Sequence, residues 1–426
     1  MKRRVRVAAV QLRAHDRSAF VQAWPRIASA VEAAAANAEL VVLPEGTIPA
    51  YVLGDAKLDR REVDEAVESL RDLASHRHVA VVAGVAAVEG ASIANAGLVI
   101  DRDGSIAGRA DKIFLWHFDR RWFTAGTRLV PIPTSLGNLG VLVCADGRMP
   151  EIARALVDRG AELLVMPTAW VSSGRDPSAL ENPIADLLGR VRAFENGVPF
   201  VAANKCGSER GMVLYCGKSQ IVDENGSLVA LASERDEATL RATLEIGDPH
   251  PQRVALGQPA RRAAGAGGVV RIAISARALP ADIDERLSVL GCAFAIAPGD
   301  ARRLDLLDAS IPVAVVDDGT MLDPGGLPAY RRAGYRLAVW TTHATEWTQP
   351  LARARAGESR MYVIVLDAHA DRAFVADPDY AIVCGTVDEY RIASCAVDLG
   401  KTEQTVVVPG TDVAEGLERV HAMSTI

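Results

Sequence analysis

Three side chains in the first half of the sequence have the types that acyl transfer needs, and each lies at or just beyond an apolar run. Cys144 ends Gly140-Val141-Leu142-Val143-Cys144, Glu45 closes Val41-Val42-Leu43-Pro44-Glu45-Gly46, and Lys112 stands in Asp111-Lys112-Ile113-Phe114-Leu115. A free thiol ionises near pH ~8.5, so a carboxylate beside it can take its proton as attack begins. A neighbouring ammonium can hold the oxyanion that forms. Each residue also has a plainer reading: Cys144 as a small core residue, Glu45 as a turn cap, Lys112 as a solvated charge at a strand edge.

The elements around them favour a site. The run into Cys144 has the length and β-branched content of a core strand, Pro150 suits the first turn of a helix from Glu151 to Arg159, and Gly160 closes it. A residue between such a strand and helix sits where open α/β sheets hold their ligands. Upstream, Val5 to Leu12 reads as a strand, Phe20 to Ala36 as a helix, Glu39 to Leu43 as a strand and Leu58 to His76 as a helix. Strands come next at Val79 to Val85 and Ala96 to Ile100, with a turn at Asp101-Arg102-Asp103-Gly104. Beyond the helix come strands at Ala161 to Met166, Pro199 to Asn204 and Leu214 to Val222, with a helix from Pro183 to Asn196. The alternation predicts a layered α/β protein.

With 426 residues, two domains are expected. The net charge of −7, from 47 basic and 54 acidic residues, offers no basic footprint for nucleic acid or an anionic membrane surface, so a small-molecule substrate is the expected partner. The six cysteines show no CxxC pairing, and no His/Cys cluster has zinc spacing, so neither a disulfide framework nor a metal is signalled. Reduced thiols point to a cytoplasmic protein. Lys2, Arg3 and Arg4 resemble the start of a signal peptide, but Arg6 interrupts the apolar run and Gln11 and Arg13 end it, which reads as a first strand. No apolar run is long enough to span a bilayer.

From Asp248 to Gly268 prolines, glycines and alanines replace any periodic apolar face, as in a linker. The chain beyond Gly268 repeats the first half in order. Arg271-Ile272-Ala273-Ile274 echoes Arg6-Val7-Ala8-Ala9, and Ala295-Ile296-Ala297-Pro298 echoes Val41-Val42-Leu43-Pro44. Val313 to Gly319 echoes Val141 to Gly147, and Ala333 to Thr342 matches Arg159 to Thr168. In this alignment Glu45 falls on Gly299 and Cys144 on Val316, so the second half is expected to be catalytically silent. The expected organisation is a catalytic domain over 1–247, a linker over 248–268, a degenerate copy over 269–413 and a C-terminal tail over 414–426 that opens with a short helix and ends loose.

The motifs Leu43-Pro44-Glu45, Asp111-Lys112 with Trp122-Phe123-Thr124-Ala125-Gly126, and Val143-Cys144-Ala145-Asp146-Gly147-Arg148-Met149-Pro150-Glu151 together resemble the carbon–nitrogen hydrolase (nitrilase) superfamily. Arg190 to Val198 and Gly217-Lys218-Ser219 extend the resemblance, which spans about residues 5–247. It implies an α-β-β-α sandwich, here followed by a truncated second copy, and a Glu-Lys-Cys triad. Glu45 would be the general base, Cys144 the nucleophile that carries a thioester, and Lys112 with the Ala145 N–H the oxyanion hole. Asp119 would stand where many members place a second glutamate that positions substrate; the shorter acid is a departure. Arg148 and Arg175 are candidates to hold a substrate carboxylate, and Trp170 to line the pocket.

The expected activity is hydrolysis of an amide or N-carbamoyl C–N bond outside peptides, with no cofactor. A nitrilase acting through the same cysteine is the alternative, and a non-catalytic binding or scaffold protein is the alternative of another class. Because members pair sandwich against sandwich, either a monomeric pseudo-dimer or a homo-oligomer is expected.

Overall fold

The computed structural model describes residues 2–55, 58–174, 178–249, 251, 259–262, 267–308, 311–367, 369–387 and 391–424. The chain forms two compact units. The first is Met1–Pro251 with Val408–Thr411 and Glu415–Ile426, and the second is Gln252–Val407 with Asp412–Ala414.

Alternation along the strand Arg3–Arg13 sets the layers of the first unit. Val5, Val7 and Ala9 pack with Val42, Val82, Val141, Val165 and Val201 between two sheets. Ala8, Val10 and Leu12 face the other way, onto Phe20, Ile27 and Val31 of the helix Phe20–Ala35 and Val63 and Leu70 of the helix Arg60–Arg77. Helices Pro150–Asp158 and Gly189–Asn196 pack on the second sheet, completing an α-β-β-α sandwich. The first sheet runs Val213–Cys216, Lys205–Glu209, Arg3–Arg13, Leu40–Val42, Ala80–Glu89, Ser92–Ile100, Ile106–Asp111, with Ala238–Ile246 also pairing Arg3–Arg13. The second runs Leu228–Leu231, Gln220–Val222, Phe200–Ala203, Leu163–Pro167, Gly137–Val141, Ile132–Thr134.

Two sequence expectations change here. The single strand expected over Leu214 to Val222 is two strands in different sheets. Gly217 and Lys218 both take left-handed backbone, with φ of 61° and 60°, and carry the chain from one layer to the other. The strand expected from Ala96 begins at Ser92, because Asn95 interrupts the apolar run without interrupting the ladder to Ala86.

In the second unit the sheet Val313–Val316, Leu337–Thr342, Tyr362–Asp367, Arg372–Ala376, Ile382–Gly385 repeats, in order and strand direction, the second sheet of the first unit from Gly137–Val141 to Leu228–Leu231. Phe294–Ile296, Val269–Ser275 and Ile392–Asp398 likewise repeat Leu40–Val42, Arg3–Arg13 and Ala238–Ile246. Hydrogen bonds recur as well. The Arg192 guanidinium donates to the Gly147 carbonyl and pairs with Glu195, as Arg355 donates to Met321 and pairs with Glu358. Trp170 N–H donates to Asn204 as Ala344 N–H donates to Asp367.

Pairing corrects one alignment. Leu163 lies opposite Leu139, and Leu337 opposite Val313, so Val313 corresponds to Leu139 and not to Val141. Asp318, not Val316, therefore stands where the first unit has Cys144, and the Arg192 and Arg355 bonds require the same register. Apolar strands tolerate a two-residue slip in sequence because it preserves which side chains face inward. The match of Gly299 to Glu45 agrees with the pairing of Ile296 with Ile274 and of Val42 with Ala9.

Of the expected linker, residues 250, 252–258 and 263–266 lie outside the described residues. The expected tail forms the helix Val413–Ser424, and from Glu415 it groups with the first unit. Among the described residues no helix is long and apolar enough to cross a membrane.

Candidate active site

The strand Gly137–Val141 leads through Leu142 and Val143 into a tight turn, Cys144–Arg148, and then the helix Pro150–Asp158. Cys144 takes φ of 49° without being glycine, a strained conformation of the kind that clusters at functional sites. The turn sits so close to the next strand that a Cβ on Gly147 would lie 2.5 Å from Met166 Cε. Asp146 ties the turn to the segment after Lys112. Its Oδ1 accepts the N–H groups of Ile113 at 3.1 Å and Phe114 at 2.8 Å, and its Oδ2 that of Val143 at 3.0 Å. Burial pushes the Asp146 carboxyl up to about 6, although those N–H groups pull against it.

Glu45 and Lys112 follow the carboxyl ends of two strands of the facing sheet, Leu40–Val42 and Ile106–Asp111, with Ala80–Glu89 and Ser92–Ile100 between them, and both side chains are fully buried. Lys112 Nζ donates to Glu45 Oε1 at 2.7 Å and lies 2.7 Å from Asp119 Oδ2. Asn95 Nδ2 donates to the same Glu45 oxygen at 2.6 Å, while Glu45 Oε2 is buried with no hydrogen-bond partner among the described residues. Two partners occupy two of the three ammonium protons, leaving one donor for another acceptor. Burial alone would lower the Lys112 pKa, but the charges of Asp119 and Glu45 and the Cys144 sulfur outweigh it, and the net shift is well upward.

The Cys144 thiol lies against the Thr168 hydroxyl and the Ala169 N–H. Burial, then the Glu45 charge, push it up to about 12, with Lys112 opposing. The cluster therefore combines a thiol kept neutral, which feels the Glu45 charge, with a Glu45 oxygen that has no hydrogen-bond partner among the described residues.

Asp119 is the residue expected to contact substrate. Fully buried, it accepts from Tyr51 Oη at 2.8 Å and from Trp116 N–H at 2.8 Å in addition to its pairing with Lys112, so its bonds hold the lysine. Ala145 is buried at the start of the turn. The Arg148 guanidinium stacks 4.3 Å above the Trp116 ring and is half-buried. Trp170 is buried, with its indole N–H unpartnered among the described residues. Arg175 lies outside the described residues.

Sequence reasoning passed over Asn95, Asp146 and a second buried pair, Lys205 and Glu209. Lys205 Nζ donates to the Gly46 carbonyl at 2.9 Å and lies 3.2 Å from Glu209, which also accepts from Val52 N–H at 2.6 Å and Tyr215 Oη at 2.7 Å. This pair fixes the loop behind Glu45. The signal that could have found them was polar residues inside or directly after apolar strands.

Comparison with known proteins shows what the chain is similar to. Residues 6–250 match the family described as carbon-nitrogen hydrolase. A probable nitrilase of Schizosaccharomyces pombe is 30% identical over 226 residues, covering 51% of this chain and 79% of the relative. A citrullinase of Francisella tularensis is 28% identical over 269 residues, covering 58% and 92%. Among solved structures, a carbon–nitrogen hydrolase from Helicobacter pylori G27 is similar with a TM-score of 0.51 and 26% identity, covering 57% of this chain and 89% of that one. An amidase from Nesterenkonia sp. is similar with a TM-score of 0.50 and 27% identity, covering 56% and 90%.

Proposed function

The chain belongs to the carbon–nitrogen hydrolase family, and from that premise we propose that it cleaves an amide or N-carbamoyl C–N bond of a small molecule through a thioester on Cys144. Glu45 Oε2, without a hydrogen-bond partner among the described residues, and a thiol that burial keeps protonated carry this reading. Glu45 takes the Cys144 proton as sulfur attacks the carbonyl carbon. The oxyanion is held by the remaining Lys112 N–H and the Ala145 N–H. The tetrahedral adduct collapses as Glu45 gives its proton to the departing nitrogen, releasing ammonia or an amine. Water, deprotonated by Glu45, then attacks the thioester and frees the acid and the thiol.

Asp119 acts in this scheme as a positioning residue for Lys112. Arg148, four residues beyond the nucleophile, is the proposed contact for an anionic substrate group, with Trp170 on the pocket wall. Because a citrullinase is among the similar proteins, ureido acids belong beside simple amides and nitriles on a substrate panel. The test is turnover of that panel with intact-mass detection of the acyl adduct. Cys144→Ala is expected to abolish turnover and the adduct together; unchanged turnover of the best substrate would remove Cys144 from the mechanism.

A further inference from the structure

We propose that the helix from Glu415 to Ser424 is a positioning element of the catalytic site, holding the segment 113–126 that carries Asp119 and continues from Lys112; the proposal rests on the assignment of Glu45, Lys112 and Cys144 above. Three contacts support it, each one bond or one residue away from the triad's own supports. Thr411 Oγ1, just before the helix, accepts the His117 N–H at 2.6 Å, and His117, with φ of 48°, opens the turn that presents Asp119. Gly416 lies flat on the Phe114 ring, where a Cβ would come within 2.4 Å of Cε2, and the Phe114 N–H is one of the three that Asp146 gathers beneath Cys144. Arg419 Nη2 donates to the Gly126 carbonyl at 3.0 Å, and the Gly126 N–H in turn donates to the Lys112 carbonyl at 2.8 Å.

Further along, His421 Nδ1 lies 3.7 Å from Glu151 on the helix after the nucleophile, and Arg159 Nη2, from the residue that caps that helix, donates to the Met423 carbonyl at 3.5 Å. The helix thus touches the lysine segment and the cysteine segment from one side while contributing no group to the chemistry. A lysine that must meet an oxyanion is sensitive to displacements of about 1 Å, which can cost about a hundredfold in rate. Substrate binding depends on it less. The signature of lost positioning is therefore a fall in kcat with KM largely kept.

The experiment uses the full chain with Gly416→Leu, Arg419→Ala and the conservative Arg419→Lys, the best substrate of the panel, and hydrogen exchange over 113–126. Gly416→Leu is expected to lower kcat about tenfold or more and Arg419→Ala about threefold, with KM within about threefold. Exchange should quicken in 113–126, and Arg419→Lys should recover at least half the lost kcat. Wild-type kcat in Arg419→Ala with faster exchange in 113–126 would overturn the proposal. So would a loss in both variants that only tracks the fraction unfolded. Should Gly416→Leu fail to fold, the two Arg419 variants decide. Failure of the underlying assignment shows separately, as turnover that survives Cys144→Ala.

Discussion

At the residue scale the site is defined by an imbalance of charge. Glu45 and Asp119 are buried against one ammonium, that of Lys112, and the Cys144 thiol is pushed up to about 12, first by its own burial and then by the Glu45 charge, with Lys112 opposing. An acid raised this far is the neutral thiol at pH 7, and its thiolate fraction grows about tenfold per pH unit until that value. Inactivation by iodoacetamide is accordingly expected to keep accelerating from pH 7 to 10, and a plateau below pH 8 would mean a preformed thiolate. Glu45→Gln keeps the Lys112 bond through its carbonyl oxygen but removes the carboxylate proposed as the base, and a drop in kcat of about 10²–10⁴-fold is expected from steady-state rates. Glu45, Lys112 and Cys144 were legible in the sequence because polar residues at the ends of apolar runs stand out against their neighbours. Asn95 and Asp146 were less so, since each serves by bonding to groups far away in sequence, the Asp146 to Phe114 bond spanning 32 positions.

At the scale of elements, one device recurs: a buried arginine on a helix that returns to a strand-end turn. Arg192 and Arg355 each pair with a glutamate three residues on and donate to a carbonyl far back in the chain, Gly147 in the turn Cys144–Arg148 and Met321 in the short helix Asp318–Leu322, and all four side chains are buried. Removing the arginine takes away the opposite charge from a buried glutamate, so Arg192→Met and Arg355→Met are each expected to destabilise the unit that contains them by about 3–5 kcal/mol, measured by urea unfolding followed with probes in each unit. A loss below about 1 kcal/mol would show that glutamate protonation or water relieves the site. The layered α/β order could be read from alternating periods, since strands and helices expose different repeats of apolar residues. The change of sheet at Gly217 and Lys218 could not, because both strands carry the same apolar content and only the backbone angles separate them.

At the scale of the whole molecule, the second unit keeps the fold's internal bonds while the site's polar residues differ. Asp318 occupies the cysteine position and accepts the Trp340 indole N–H at 2.8 Å, and glycine replaces the glutamate. Val315, at the register position of Val141, is 62% exposed where Val141 is 5% exposed. Val141 packs on Gly97 of the strand Ser92–Ile100, and the three-stranded sheet of the second unit has no counterpart to that strand among the described residues. Asp318→Ala is expected to leave kcat/KM within about twofold of wild type, and a loss beyond tenfold would give the second unit a catalytic share. The repeat was visible in sequence order but not in its register, which the strand pairing supplied. Finally, the Arg419 to Gly126 bond joins residues 293 positions apart. A chain growing at about 5–20 residues per second reaches Arg419 about 15–60 s after Gly126, so during synthesis the first unit waits that long for the last support of its own interior to be made.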